Sequence, residues 1–251
     1  MKALGLPIGL IAALVLLTTC GSDESANQGS TLRVMAAASL TESFTALETT
    51  YEKAHPDVDV TLSFDSSAIL VEQLSQGLEA DVLATADLTS MDKAVSAGVI
   101  SGEPEAFATN TLVIATPAGN PAGIKGIDDL ADTDFAVCVP AAPCGDAARR
   151  LFALNQFSGK PATEEENVKG VLTKVTAGEV DAGLVYASDA KAAGDKVDVV
   201  SAENASEVVN VDPIAAVKGS ANTDAAKDWI DLVTGPEGQE VLASHGFGPR
   251  P

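Results

Sequence analysis

Two hydrophobic rhythms alternate along most of this chain. Residues 32–37 (LRVMAA) are a short, nearly continuous apolar run and predict a buried strand. Residues 41–54 then bring Phe44, Leu47 and Tyr51 to one helical face, until His55-Pro56-Asp57 stops the helix. Strict alternation over 58–64 predicts a second strand. A helix over 69–76 follows, with Gly77 placed as its stop. The same reading gives strands at 81–85, 112–116, 135–139, 182–186, 197–200 and 214–217. It gives helices around 91–95 and over 145–154, 167–176, 224–233 and 236–244, the last ended by Gly246. A Pro/Gly-rich turn occupies 117–126. Strand and helix alternating at this spacing predict an α/β fold with mostly parallel sheets. There are too many units for one sheet and no internal repeat, so two lobes are expected. Ligands of open α/β sheets sit at the carboxyl ends of strands, which directs attention to the strand-to-helix turns.

The first residues follow another pattern. Lys2 is the only charge before Cys20, and 4–17 is apolar apart from glycine and proline. That length suits the core of a signal peptide and is short for a membrane-spanning helix. The run ends in Leu17-Thr18-Thr19-Cys20-Gly21, which resembles a bacterial lipobox, with Thr19 where Gly or Ala is usual. The expectation is a signal peptide at 1–19, lipidation of Cys20, and a polar tether over 20–30. Plain secretion with an incidental cysteine is the alternative. The anchored chain belongs at the outer face of the cell membrane, or in the periplasm.

Composition narrows the partners. The chain has 251 residues, 46% of them hydrophobic, enough for a substantial core. Its formal charge of -21 repels nucleic acid and anionic lipid, so no nucleic-acid partner is expected. Export places Cys138 and Cys144 in an oxidising compartment, with Pro140 and Pro143 between them. A small disulfide-closed loop is the preferred reading, ahead of a metal pair or a catalytic thiol. The two histidines, His55 and His245, lie nowhere near them in sequence.

Five turns could carry chemistry. In Ala36-Ala37-Ala38-Ser39-Leu40-Thr41-Glu42, the S-x-x-E spacing predicts a capping box with Ser39 as N-cap. The small alanines would also let a ligand approach a hydroxyl and free amides there. Ser66 and Ser67 again stand between a strand and a helix, and capping is again the plain reading. Pro143-Cys144-Gly145 suits a tight turn that exposes amides. Asn167 is a natural N-cap, which leaves the Val168 amide among the unpaired first-turn donors. Tyr186 ends an apolar strand, either as a half-buried core tyrosine or as a hydroxyl aimed into a cleft. The run Glu164 to Glu166 reads as a solvated face, and Trp229 as core.

Together, Ala36-Ala37-Ala38-Ser39-Leu40, Ala80-Asp81-Val82, Ala86-Asp87, Asn167-Val168-Lys169-Gly170 and Val185-Tyr186-Ala187-Ser188-Asp189-Ala190 carry a family resemblance. In their order and spacing, the chain resembles the molybdate-binding proteins of bacterial molybdate uptake systems, from about Leu32 to Phe247. The resemblance implies the type II periplasmic binding protein fold: two α/β lobes, a hinge, and an oxyanion cleft between them. It implies lobe I at 31–110 plus 214–251 and lobe II at 111–213, with hinge strands near 111–115 and 212–217. It implies that Ser39, Ser67 and Tyr186 offer hydroxyls and that Cys144 and Val168 offer backbone amides. Asp65 departs from the family pattern by placing an acid beside an anion site, and Ala68 by replacing a serine. No cofactor is implied, and no metal beyond the molybdenum or tungsten of the oxyanion itself.

The function implied is capture of molybdate or tungstate by a monomeric receptor that delivers it to a membrane permease driven by a cytoplasmic ATPase. A receptor for another oxyanion, such as sulfate or thiosulfate, is the alternative. A hydrolase using Ser39 or Cys144 with His55 or His245 is a distant one, since no G-x-S-x-G elbow is present.

Overall fold

The computed structural model describes residues 30–251. The expected leader, Cys20 and the tether lie outside the described residues, except Ser30, which opens the first strand.

The chain begins as β1 (Ser30–Ala37), passes through a 3-10 turn (Ala38–Leu40) into α1 (Thr41–Ala54), and continues through β2 (Val58–Asp65), α2 (Ser67–Ser75), β3 (Val82–Ala84), α3 (Leu88–Ser96) and β4 (Ile100–Asn110). A second run follows: β5 (Leu112–Pro117), β6 (Phe135–Cys138), α4 (Pro143–Leu154), β7 (Thr163–Glu165), α5 (Val168–Thr176), β8 (Ala182–Tyr186), α6 (Ala187–Ala193) and β9 (Val197–Val200). The chain then returns as β10 (Asn210–Val217), α7 (Thr223–Thr234) and α8 (Pro236–Ser244). Two five-stranded sheets result, in the orders β2-β1-β3-β10-β4 and β7-β6-β8-β5-β9. In the first sheet β10 runs against both neighbours, and in the second β5 does. These are the two strands that the chain enters as it crosses from one sheet to the other. The helical crossovers make the rest parallel, as the alternation predicts.

The two-residue period of the strands sorts the first core. Leu32, Val34, Ala36, Val82, Ala84 and Ile214 pack on one face with Phe44, Leu47 and Tyr51 of α1 and with Trp229 and Val233 of α7. Met35, Leu83, Ala215 and Val217 face the other way, onto Leu70 and Leu74 of α2 and Met91 and Ala94 of α3. Trp229 is fully buried, its ring 5.7 Å from Phe44 and 5.5 Å from Tyr51 in edge-on contacts. The first apolar cluster runs without a break into the second sheet, through Leu112, Ile114, Phe135 and Leu184. Gly183 on β8 sets how near α5 lies: a Cβ there would stand 2.6 Å from Val171 Cγ1.

Three elements escaped the sequence pattern. β4 carries Gly102 and Pro104 and few apolar residues, and it survives as an edge strand, where proline is tolerated. β7 is part of the glutamate run, also at an edge. α6 starts at Ala187, with no linker after β8.

β10 also buries Asp212 completely, and neither of its carboxyl oxygens has a hydrogen-bond partner among the described residues. Burial, and then the nearby carboxylates of Asp87 and Asp189, hold its pKa well above the usual range. The folded protein therefore keeps a proton that the unfolded chain releases. Stability tied to Asp212 is present below its unfolded pKa and is lost as pH rises toward the folded value. Asp212→Asn should raise the thermal midpoint at neutral pH and leave it nearly unchanged near pH 3, as read by calorimetry. Trp229→Ala should lower the unfolding free energy by about 3–5 kcal/mol in urea titrations, the usual loss for a buried aromatic.

Candidate functional site

The five singled-out residues share one structural position. Each ends or follows one of the mutually parallel strands, at the cap or inside the first turn of the next helical element. β1 and β2 pair in parallel with Ala37 opposite Asp65, so Ser39 and Ser67 are each the second residue past that last pair. β6 lies between β7 and β8, parallel to both. Cys144 lies in the first turn of α4, Val168 opens α5, and Tyr186 is the N-cap of α6. First-turn amides have no partner within their helix, and helix N-termini carry partial positive charge.

Local sequence fixes each turn. Pro143 takes the first helical position of α4, where the missing N–H costs nothing. Gly145 lets that helix start against β6: a Cβ would lie 2.0 Å from the Val139 carbonyl oxygen. The Cys138–Cys144 disulfide, with a Cα–Cα distance of 5.7 Å, closes the same loop. The preferred reading of the cysteine pair therefore holds, and the metal pair and free thiol are set aside. Asn167 is the N-cap of α5 as predicted, its Oδ1 accepting from the amides of Lys169 at 3.1 Å and Gly170 at 3.2 Å.

The capping box at Ser39 does not form. Ala37 and Leu40 hold the cap positions of the 3-10 turn and α1, and neither makes a side-chain cap bond. β1 turns straight into the 3-10 turn, so Ser39 is already helical and its hydroxyl cannot adopt cap geometry. Ser39 is 4% exposed, and its Oγ has no hydrogen-bond partner among the described residues. Ser67 does not cap either: Ser66 is the cap residue, without a side-chain bond, and Ser67 Oγ accepts the Ala86 amide at 3.0 Å.

What the five hold in common is an unspent hydrogen. Ser67 Oγ accepts from a backbone amide, which leaves its proton free to donate. Tyr186 Oη accepts from Asn210 Nδ2 at 2.8 Å, which frees the phenol proton in the same way. Burial, then Asp212, Asp87 and Asp189, raise the Tyr186 pKa well above its ordinary value, so the hydroxyl stays protonated. The Val168 and Cys144 amides belong to first turns. A set of neutral donors at helix starts suits an anion.

Several contacts bring the groups together. Asn210 Nδ2 also donates to the Ala86 carbonyl at 2.9 Å, which links Tyr186 to the Ser67 side. The 3-10 turn that holds Ser39 packs on α5. Asp65 Oδ1 accepts from the Ser66 amide at 2.7 Å and from Asn167 Nδ2 at 3.1 Å. The acid that departs from the family pattern is thus spent on donors from both sheets. Lys169 Nζ lies 2.7 Å from Glu42 Oε2 and 3.0 Å from Asp189 Oδ1. Burial lowers the Lys169 pKa, but Asp189 and Glu42 more than offset this and raise it. Burial also pushes the Asp189 carboxyl up to about 6, against the opposing pull of Lys169. Asn210, Asp189 and Asp212 were not singled out from sequence, since long-range packing alone gives them a role.

The two histidines stand elsewhere. His55 stacks on Tyr51 at 4.3 Å, and His245 Nδ1 lies 2.8 Å from the Val241 carbonyl. Neither is bonded to Ser39, and Cys144 is held in the disulfide. A depression of about 540 Å³ lies at the opposite strand ends, lined by Arg33, Asp81 and Lys218. The Asp81 carboxylate there is already engaged by the Arg33 amide, Ser220 and Asn222.

Known proteins place this architecture. The molybdate-binding protein ModA of Mycobacterium tuberculosis is 40% identical over 258 aligned positions, which cover 98% of this chain and 99% of that protein. The periplasmic molybdate-binding protein of Azotobacter vinelandii superposes with a TM-score of 0.74 at 18% identity, over 86% of this chain and 98% of that one. The sulfate-binding protein SubI of Mycobacterium tuberculosis also gives 0.74 at 18% identity, over 88% of this chain and 87% of that one. The two-sheet architecture is therefore the periplasmic binding protein fold expected from the sequence. The profile of the bacterial extracellular solute-binding proteins matches residues 32–248, and the chain belongs to that family.

Proposed function

We propose that the protein captures molybdate or tungstate outside the cytoplasm and delivers it to the permease of an ABC transporter, powered by a cytoplasmic ATPase. One observation carries this reading: Ser39, Ser67, Cys144, Val168 and Tyr186 each offer a hydrogen at a helix start, and contacts between the two units tie the Ser39 turn to α5 and Ser67 to Tyr186 through Ala86 and Asn210. The name of the mycobacterial relative supports the choice of ion. Lipidation of Cys20, a monomeric state and the absence of turnover belong to the same proposal.

Neutral donors are enough to hold a dianion. A tetraoxoanion accepts many hydrogen bonds, and a bond to a charged group contributes about 1.5–3 kcal/mol net. Several together reach the roughly 8–12 kcal/mol of micromolar to nanomolar binding. The acidic surface opposes this weakly, since physiological salt screens charges beyond about 8 Å. Donors fixed by strands and a disulfide also select size. Sulfate is smaller than molybdate and would meet stretched bonds.

Titration calorimetry with molybdate, tungstate and sulfate in turn tests the reading. The expected result is one-to-one, submicromolar binding of the first two and no heat from sulfate. Ser39→Ala and Tyr186→Phe should each weaken molybdate about 10- to 100-fold while the melting temperature holds. Heat from sulfate alone would favour the other-oxyanion receptor.

A further inference from the structure

We infer that Glu42 and Asp65 of the first sheet's unit grip Lys169 and Asn167 of the second as a clasp that holds the cleft shut, and so sets how slowly the ligand leaves. The inference rests on the proposed oxyanion site only for the identity of its ligand.

The clasp is built from both sides. Glu42 lies in the first turn of α1, and Lys169 in the first turn of α5. Lys169 Nζ meets both Glu42 oxygens, at 2.9 and 2.7 Å. Asp189, fully buried on α6, forms an ion pair with the same ammonium at 3.0 Å. Lys169 and Asp189 belong to one unit, so their bond survives when the units part. The lysine therefore waits already aimed at Glu42, and closing costs little further side-chain entropy. Glu42, by contrast, is free to return to water.

The second half repeats the device with a neutral group. Asn167 spends its Oδ1 on capping α5, which fixes the amide plane and points Nδ2 outward. That Nδ2 donates to Asp65 Oδ1, whose position is held by the Ser66 amide. Asn167 and Lys169 flank Val168, one of the proposed ligand donors. The crossing contacts thus bracket the anion's own amide, and the units cannot separate there without breaking both.

The pair explains two departures at once. Glu42 has the spacing of a capping box yet leaves its own helix start. Asp65 puts an acid beside an anion site, and its charge is directed to donors instead of the anion. Lys169 is the one cation in the five motifs, and its charge is answered by two carboxylates, so it closes the cleft without serving as the anion's counterion.

The test uses the intact protein. Release of radiolabelled molybdate into excess unlabelled molybdate is followed for wild type, Glu42→Gln, Asp65→Ala and the double variant. Each single change should speed release about three- to tenfold with little change in association rate. The double variant should combine both effects. The Glu42→Gln effect should shrink as salt rises, because it removes a partly exposed ion pair. Asp65→Asn, which keeps an acceptor for Asn167, should recover much of the loss. Spin-label distances between exposed Ser96 on α3 and Thr176 on α5 give an independent reading. They should shift to longer values in the double variant, with or without ligand. Wild-type release rates together with an unchanged distance distribution would overturn the clasp. Failure of the wild type to bind molybdate would overturn the ligand assignment alone, and the distances would still decide the clasp.

Discussion

The structure depends on where parallel strands leave their helices. A first-turn amide has no partner inside its own helix, and a buried site gives it no water. In this chain those orphans are gathered. β1 and β2 in one sheet, and β6, β7 and β8 in the other, each lead into a helical turn, directly or through a loop of at most four residues. The protein then takes care not to consume the donors. Asn210 gives a hydrogen to Tyr186, the Ala86 amide gives one to Ser67, and Asn167 caps the two amides after Val168. Each arrangement satisfies an acceptor or a neighbouring amide and leaves a donor hydrogen unused.

That economy is how a chain with a formal charge of -21 would present the proposed anion site. The carboxyl groups around the site are answered in one of two ways. Asp65 accepts two hydrogen bonds, and Glu42 and Asp189 share Lys169. Asp212 has no hydrogen-bond partner among the described residues and is held toward its neutral form by burial. Repulsion at the site is removed by pairing or protonation on the spot, and the distant surface charge is left to salt screening. The alternative, an arginine on the anion itself, would add affinity for any oxyanion of similar charge. Directed neutral donors make geometry the basis of selection.

The strand-to-helix turns that carry the candidate residues were legible in the sequence, but their hydrogen bonding was only half so. Gly145, Pro143 and Asn167 punctuate their turns strongly, and the apolar runs before them fix where each strand ends. The five candidates follow from that punctuation and from the family resemblance. The capping box at Ser39 failed because S-x-x-E is a local signal. Whether β1 breaks before its helix or flows into a 3-10 turn is settled by packing, not by four residues. β4 was invisible because an edge strand with one proline shows no clean alternation. The partners of Asn210, Asp189 and Lys169 were beyond sequence logic for another reason. Each residue acts through a partner remote in the chain, within its own unit for Lys169 with Asp189 and across the units for Asn210 with Tyr186 and Lys169 with Glu42.

Closure and donor alignment are therefore one event at the start of α5. Asn167 fixes the helix through its oxygen and reaches the other unit through its nitrogen, while Lys169 does the same through Asp189 and Glu42. Val168 sits between them on a helix pressed against Gly183, so its amide cannot swing independently of the sheet. An anion that draws on the Val168 amide from one side and on Ser39 or Ser67 from the other pulls the units in the direction the clasp already favours. Differences in residence time between ions then follow from how well each spans the two sets of donors once the units meet. An ion too small to span them leaves the clasp as the main hold on the closed state, and partly exposed contacts of this kind contribute only about 0.2–1 kcal/mol each. Selection by size and selection by lifetime have the same physical origin.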